Sequence, residues 1–66
     1  MPIINVTMAS PLPDEKTCEK IISDLTEYFV SEHGKARERV VVNIAEAPAH
    51  QIGFGGKSVK AIKEGR

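Results

Sequence analysis

The stretch RVVVNIAEA (residues 39–47) decides how this chain folds. Val40, Val42 and Ile44 fall on one side of it, and the run of β-branched residues predicts a strand over 39–47 buried on both faces. Pro48 stops it, because a proline has no N–H to give to a ladder. Working back, Cys18, Ile21, Ile22, Leu25, Tyr28 and Phe29 recur at i, i+3, i+4, i+7, i+10 and i+11. That spacing makes one apolar stripe on a helix of about five turns. Pro13 is placed in its first turn, Asp14 and Glu15 suit the positive end of its dipole, and Gly34 follows its last residue. Further back, IINVTM (3–8) alternates, with Ile4, Val6 and Met8 on one face and Asn5 and Thr7 on the other, so it reads as a second strand. The two prolines of ASPLP (9–13) make a loop between strand and helix. Towards the other end, GFGG (53–56) reads as the turn of a short hairpin, while residues 58–63 form a tail with no assignable pattern.

Strand, helix, strand in that order is a βαβ unit, and the crossover makes the strands parallel with the helix on one face. The class is therefore α/β, or α+β once the C-terminal hairpin is counted, in a single domain over 1–66. Two strands are too few to stand alone in water. A chain of 66 residues buries only about 60% of its unfolded surface, and such small scaffolds lean on disulfides, metals or self-association. One cysteine, Cys18, excludes an internal disulfide, and His33 and His50 lie too far apart in sequence for a local metal site. Homo-oligomerisation remains, with other copies covering the open strand edge and the bare sheet face.

Nine basic and nine acidic residues leave no net charge, so the basic excess that nucleic-acid binding draws on is missing. No apolar run approaches the ~20 residues of a membrane span, and no signal-peptide pattern opens the chain. The expected location is cytoplasmic, which the lone free thiol also suits.

The chain opens Met1-Pro2. Removal of a methionine that precedes a small residue would turn the Pro2 nitrogen from an amide into a secondary amine, which is a base. A general base works best with its pKa near the operating pH. Apolar surroundings such as Ile3 and Ile4, or a nearby arginine, penalise an ammonium and bring such an amine towards that range. No other side chain in the sequence offers an equivalent, since neither histidine is placed beside a serine, cysteine or acid pair.

Taken together, PIINV (2–6), DEK (14–16), Gly34, VVVNIAE (40–46) and IGFGGKSV (52–59) resemble the 4-oxalocrotonate tautomerase family in order and spacing, over nearly the whole chain from Pro2 to about Lys63. The resemblance implies a cofactor-independent and metal-independent isomerase that moves a proton in an enol or unsaturated oxo acid such as 2-hydroxymuconate. It implies Pro2 as the catalytic acid–base, a small carboxylate substrate, and a homohexamer built as a trimer of dimers. A hydratase or dehalogenase acting on an unsaturated acid, or a non-catalytic oligomeric binding module, are the other functions that this fold would carry.

The sequence departs from the family at three supporting positions. Leu12 stands where the family has a loop arginine, Val41 where it has an arginine in the second strand, and Ile52 where it has an aromatic before the turn. Arg39, and after it Arg37, are the expected replacements for binding a substrate carboxylate, since residues two apart share a strand face and Arg39 would then point with Val41. A solvated basic turn after a helix end is the plainer reading of the same residues. Ile52 is expected to line the substrate site. Phe54 is assigned to an oligomer interface, Cys18 and Tyr28 to the helix stripe, His33 to the helix end, and His50, Lys57 and Lys60 to solvent.

Overall fold

The structure is a computed structural model that describes all residues, 1–66. Strand β1 (Ile3–Ala9) leads through the loop to helix α1 (Glu15–His33), a 3-10 turn (Arg37–Arg39) and strand β2 (Val41–Ala47). A second 3-10 turn (Ala49–Gln51) follows, then strands β3 (Gly53–Phe54) and β4 (Lys57–Ser58) and a short helix α2 (Val59–Lys63). β1 and β2 pair in parallel, Ile3 opposite Val41 through to Ala9 opposite Ala47, with α1 as the crossover. This is the βαβ unit expected from the sequence, and β3 and β4 add the expected antiparallel hairpin.

Helix α1 is bounded by two local devices. Asp14 accepts the Thr17 N–H at 3.1 Å as N-cap, which satisfies one of the donors that a helix start leaves unpaired. Pro13 therefore lies just outside the helix instead of in its first turn, because the capping carboxylate one residue later sets the start. At the other end Gly34 has φ 64° and its N–H donates to the Phe29 carbonyl. A left-handed residue reverses the chain there at little cost only if it lacks a Cβ.

Strand β2 begins at Val41, two residues later than the sequence pattern suggests, because Arg37–Arg39 wind into the 3-10 turn and Val40 N–H donates to the Arg37 carbonyl at 3.2 Å. The tail beyond β4 is also ordered: Ser58 caps α2 by accepting the Ala61 N–H at 3.0 Å. In the hairpin, Gly55 and Gly56 both have positive φ, as a two-residue turn matched to the strand twist requires.

Ile4, Val6 and Met8 of β1, with Val42 and Ile44 of β2, form the half-buried face, and Leu25 and Phe29 of α1 are half-buried with them. The opposite face is open. Ile3 is 60% exposed and its register partner Val41 is 41% exposed, so β2 is covered on one side within the chain and not on both. No residue is fully buried. The radius of gyration is 15.1 Å, against about 11 Å for a compact chain of this length. The accessible surface is 4894 Å², roughly 800 Å² more than a folded monomer of this mass would show. That excess is about what one partner contributes to a standard protein interface. The hairpin and α2 account for part of it, since they pack chiefly on each other and on the Ala49–Gln51 turn.

Candidate active site around Pro2

Pro2 lies at the start of β1, half-buried, with its carbonyl accepting the Val41 N–H at 2.9 Å. That bond ties the first residues to the start of β2 and leaves the Pro2 nitrogen without a role in the ladder. The next residue, Ile3, and its register partner Val41 carry exposed apolar side chains on the open face, while Pro2, like Ile4, is half-buried. Because the strands are parallel and the helix runs back between them, the same end of the molecule also receives Gly34 and the basic turn that follows α1.

The two arginines of that turn are not equivalent. The Arg37 guanidinium is held by the Glu27 carboxylate of α1, a pair formed at the helix surface. Arg39 has neither an ion pair nor a side-chain hydrogen bond in the chain and is exposed. The strand-face reasoning that linked Arg39 to Val41 does not hold, since Arg39 is in the 3-10 turn and not in β2. What places it near Pro2 is the backbone: it lies two residues ahead of Val41, whose N–H binds the Pro2 carbonyl.

Ile52 is half-buried, and its carbonyl accepts the Val59 N–H at 2.6 Å. It does not meet Pro2 in one chain. Six residue steps along β1 or β2 span about 20 Å, and Pro2 enters at one end of the pair while Ile52 and Leu12 follow from the other. The single chain has no enclosed pocket at either end.

The remaining candidates are placed as follows. Cys18 is half-buried, its Sγ 3.5 Å from the Pro13 carbonyl. His33 closes α1, stacked near Tyr28 and Phe29, with Nε2 3.2 Å from the Tyr28 hydroxyl. His50 is exposed in the second 3-10 turn, and Lys57 is exposed with Nζ donating to the Arg66 carbonyl at 2.9 Å. Phe54 is 69% exposed at the hairpin tip. No three metal-ligating side chains converge. No helix is long and apolar enough to cross a membrane. The Glu27–Arg37 pair was not foreseen from the sequence, because ten residues and a chain reversal separate its members.

Residues 2–62 match the family model described as tautomerase enzyme. The chain is 40% identical over 63 residues to the probable tautomerase Cj0270 of Campylobacter jejuni, covering 96% of this chain and 93% of that protein. Among solved structures, DmpI from Helicobacter pylori superposes with a TM-score of 0.89 at 25% identity, over 96% of this chain and 97% of that one. TomN, described as a 4-oxalocrotonate tautomerase homologue in the tomaymycin biosynthetic pathway, gives 0.87 at 25% identity, over 96% and 95%.

Proposed function

The chain belongs to the tautomerase family, and we propose that it is a cofactor-independent isomerase whose base is the nitrogen of Pro2 after Met1 is removed. The single observation that carries the proposal is the position of Pro2. It directly precedes β1, its carbonyl is anchored on the Val41 N–H, and its nitrogen is left out of the ladder next in sequence to the apolar Ile3. Once a second copy covers the open face, lost hydration would penalise the ammonium form of an amine there, and a guanidinium brought near would add to that.

In the proposed reaction the neutral prolyl nitrogen takes the hydroxyl proton of an enol acid. The O–H electron pair becomes the second bond of a carbonyl, the C=C pair moves onto carbon, and the prolyl nitrogen returns the proton there. One O–H bond breaks, one C–H bond forms, and no external oxidant or reductant enters. Arg39 holds the substrate carboxylate, for which its planar fork is suited, and Arg37 supports it only if it leaves Glu27. Ile52 lines the site from a neighbouring copy, since within one chain it leaves from the opposite end of the strand pair. The working form is accordingly a homo-oligomer, proposed as a hexamer of three dimers, and the excess surface and absent core of the lone chain support association. A reducing compartment such as the cytoplasm suits the free Cys18.

The test is ketonisation of an enol acid followed by ultraviolet absorbance on protein whose intact mass shows that Met1 is gone. A matched protein carries an uncleavable residue before Pro2. Activity in the first and none in the second is expected. Equal rates in both, or none in either, would overturn the assignment of Pro2 and favour a non-catalytic oligomeric module.

A further inference from the structure

The open face of the main sheet carries no charged residue. Alternation along two parallel strands puts Ile3, Asn5 and Thr7 of β1 there, opposite Val41, Asn43 and Ala45 of β2. Nine basic and nine acidic residues lie elsewhere in the chain, with Lys20, Asp24 and Glu27 among those on the exposed side of α1. A sheet face that stays in water ordinarily alternates polar and charged residues with its buried side, whereas loss of charge marks the centre of an interface.

The occupant that fits this face is a second copy of the chain. Alone, the chain buries no residue completely and shows roughly 800 Å² more surface than a folded monomer of its mass, about one partner's share of a standard interface. With no charge on it, the face repels no copy of the same chain and carries no pattern that selects a charged foreign partner. Covering it creates a demand at its middle. Asn5 and Asn43 are register partners there, and both are exposed. No side-chain hydrogen bond of the chain uses either amide. Neighbouring strands lie about 4.8 Å apart, so the two amides can reach each other. Each offers two donors and an acceptor oxygen, more than one mutual bond satisfies.

We propose that the open face is buried against further copies of this chain and that the Asn5–Asn43 pair fixes how they meet. Ile3 and Val41 supply apolar area that any arrangement could bury. The amides discriminate, because an arrangement that leaves them without partners loses their hydration and gains no bond in return. A single buried asparagine fixes register and stoichiometry in a coiled coil by the same means. This rests on the homo-oligomer proposed above, adds the face it uses and what selects its order, and does not depend on Pro2 being the base.

The experiment follows mass against dilution, by sedimentation velocity and native mass spectrometry, for the full chain and four variants. Asn43→Asp keeps the shape of the side chain but is ionised at neutrality. On a covered face it should raise the midpoint concentration for dissociation by about tenfold or more at pH 7, and approach the parent again below about pH 4. Asn5→Val and Asn43→Val each strand the remaining amide and should weaken association by about ten- to hundred-fold. The double variant Asn5→Val/Asn43→Val removes both amides, so it stays readable even where a single variant loses its fold. It should associate at least as tightly as the parent, but as a mixture of stoichiometries. An oligomeric parent whose midpoint is unchanged by Asn43→Asp would overturn the assignment of the face while leaving the oligomer standing. A double variant that forms the parent's single species, or that is weakened by the sum of the two single effects, would overturn the role of the pair. A parent that is monomeric at every concentration would bring down the proposed oligomer and this inference together.

Discussion

Gly34 offers a quantitative test of how α1 hands the chain on to the basic turn. Its φ of 64° lies in the left-handed region, and a Cβ built there would meet no atom within 4 Å. A Gly34→Ala substitution therefore creates no clash, and its whole effect is backbone strain. An L-residue in this region is disfavoured by roughly 1–2 kcal/mol. Alanine also lowers the entropy of the unfolded chain, which offsets about 0.4–1 kcal/mol of that. A net loss of about 1 kcal/mol is expected, and for a domain of this size it lowers Tm by about 4–8 °C. Gly34→Asn tolerates the left-handed region better and should lose visibly less. Thermal melts of the three proteins, at one protein concentration so that any association is held constant, give the ranking Gly, Asn, Ala. An alanine variant as stable as the parent, or more stable, would refute the reasoning. It would mean that residue 34 continues the helix and that the turn carrying Arg37 and Arg39 is placed otherwise.

Arg39→Gln should raise KM for the enol acid by about ten- to hundred-fold with little change in Tm, whereas Arg37→Gln, which breaks only an exposed pair with Glu27, should shift stability by less than about 1 kcal/mol and KM little; equal effects on KM would contradict the distinction between them. Gly53→Ala should undo the hairpin, because its Cβ would sit 2.7 Å from the Lys57 carbonyl oxygen of the facing strand; unchanged amide exchange at Val59 would refute this. The Asp14 carboxyl is held below its usual 3.8, first by the side-chain hydrogen bond with Thr17. A depressed folded-state value means that the cap's contribution is present above the unfolded pKa and is lost as pH falls through the folded one. The Tm advantage of the parent over Asp14→Ala should therefore be full near neutrality and shrink below about pH 4; an advantage constant down to pH 2 would exclude a charged cap. The chain should run well above its 7.2 kDa monomer mass in native mass spectrometry, and Ile3→Lys on the open face should shift it towards the monomer; a monomeric parent would refute assembly through that face.

The main architecture was written in local patterns. The 3.6-residue stripe from Cys18 to Phe29, the alternation of Ile4, Val6 and Met8, and the positive-φ glycines of the hairpin depend on neighbours within a few residues, so the βαβ unit and hairpin could be read directly. The boundaries were less legible. Arg39 and Val40 carry strand-compatible residues, but a 3-10 bond between Val40 and Arg37 holds them out of β2. Pro13 fits a first helical turn by type, but capping by Asp14 places it outside. The candidate site divides in the same way. Pro2 stands out in the sequence because removal of Met1 would turn its nitrogen into a secondary amine. Which arginine is free, and that Pro2 and Ile52 lie at opposite ends of the strand pair, depend on a chain reversal at Gly34 and on parallel pairing over about 20 Å. Such long-range geometry leaves no periodic trace in the residues, and only the folded chain decided it.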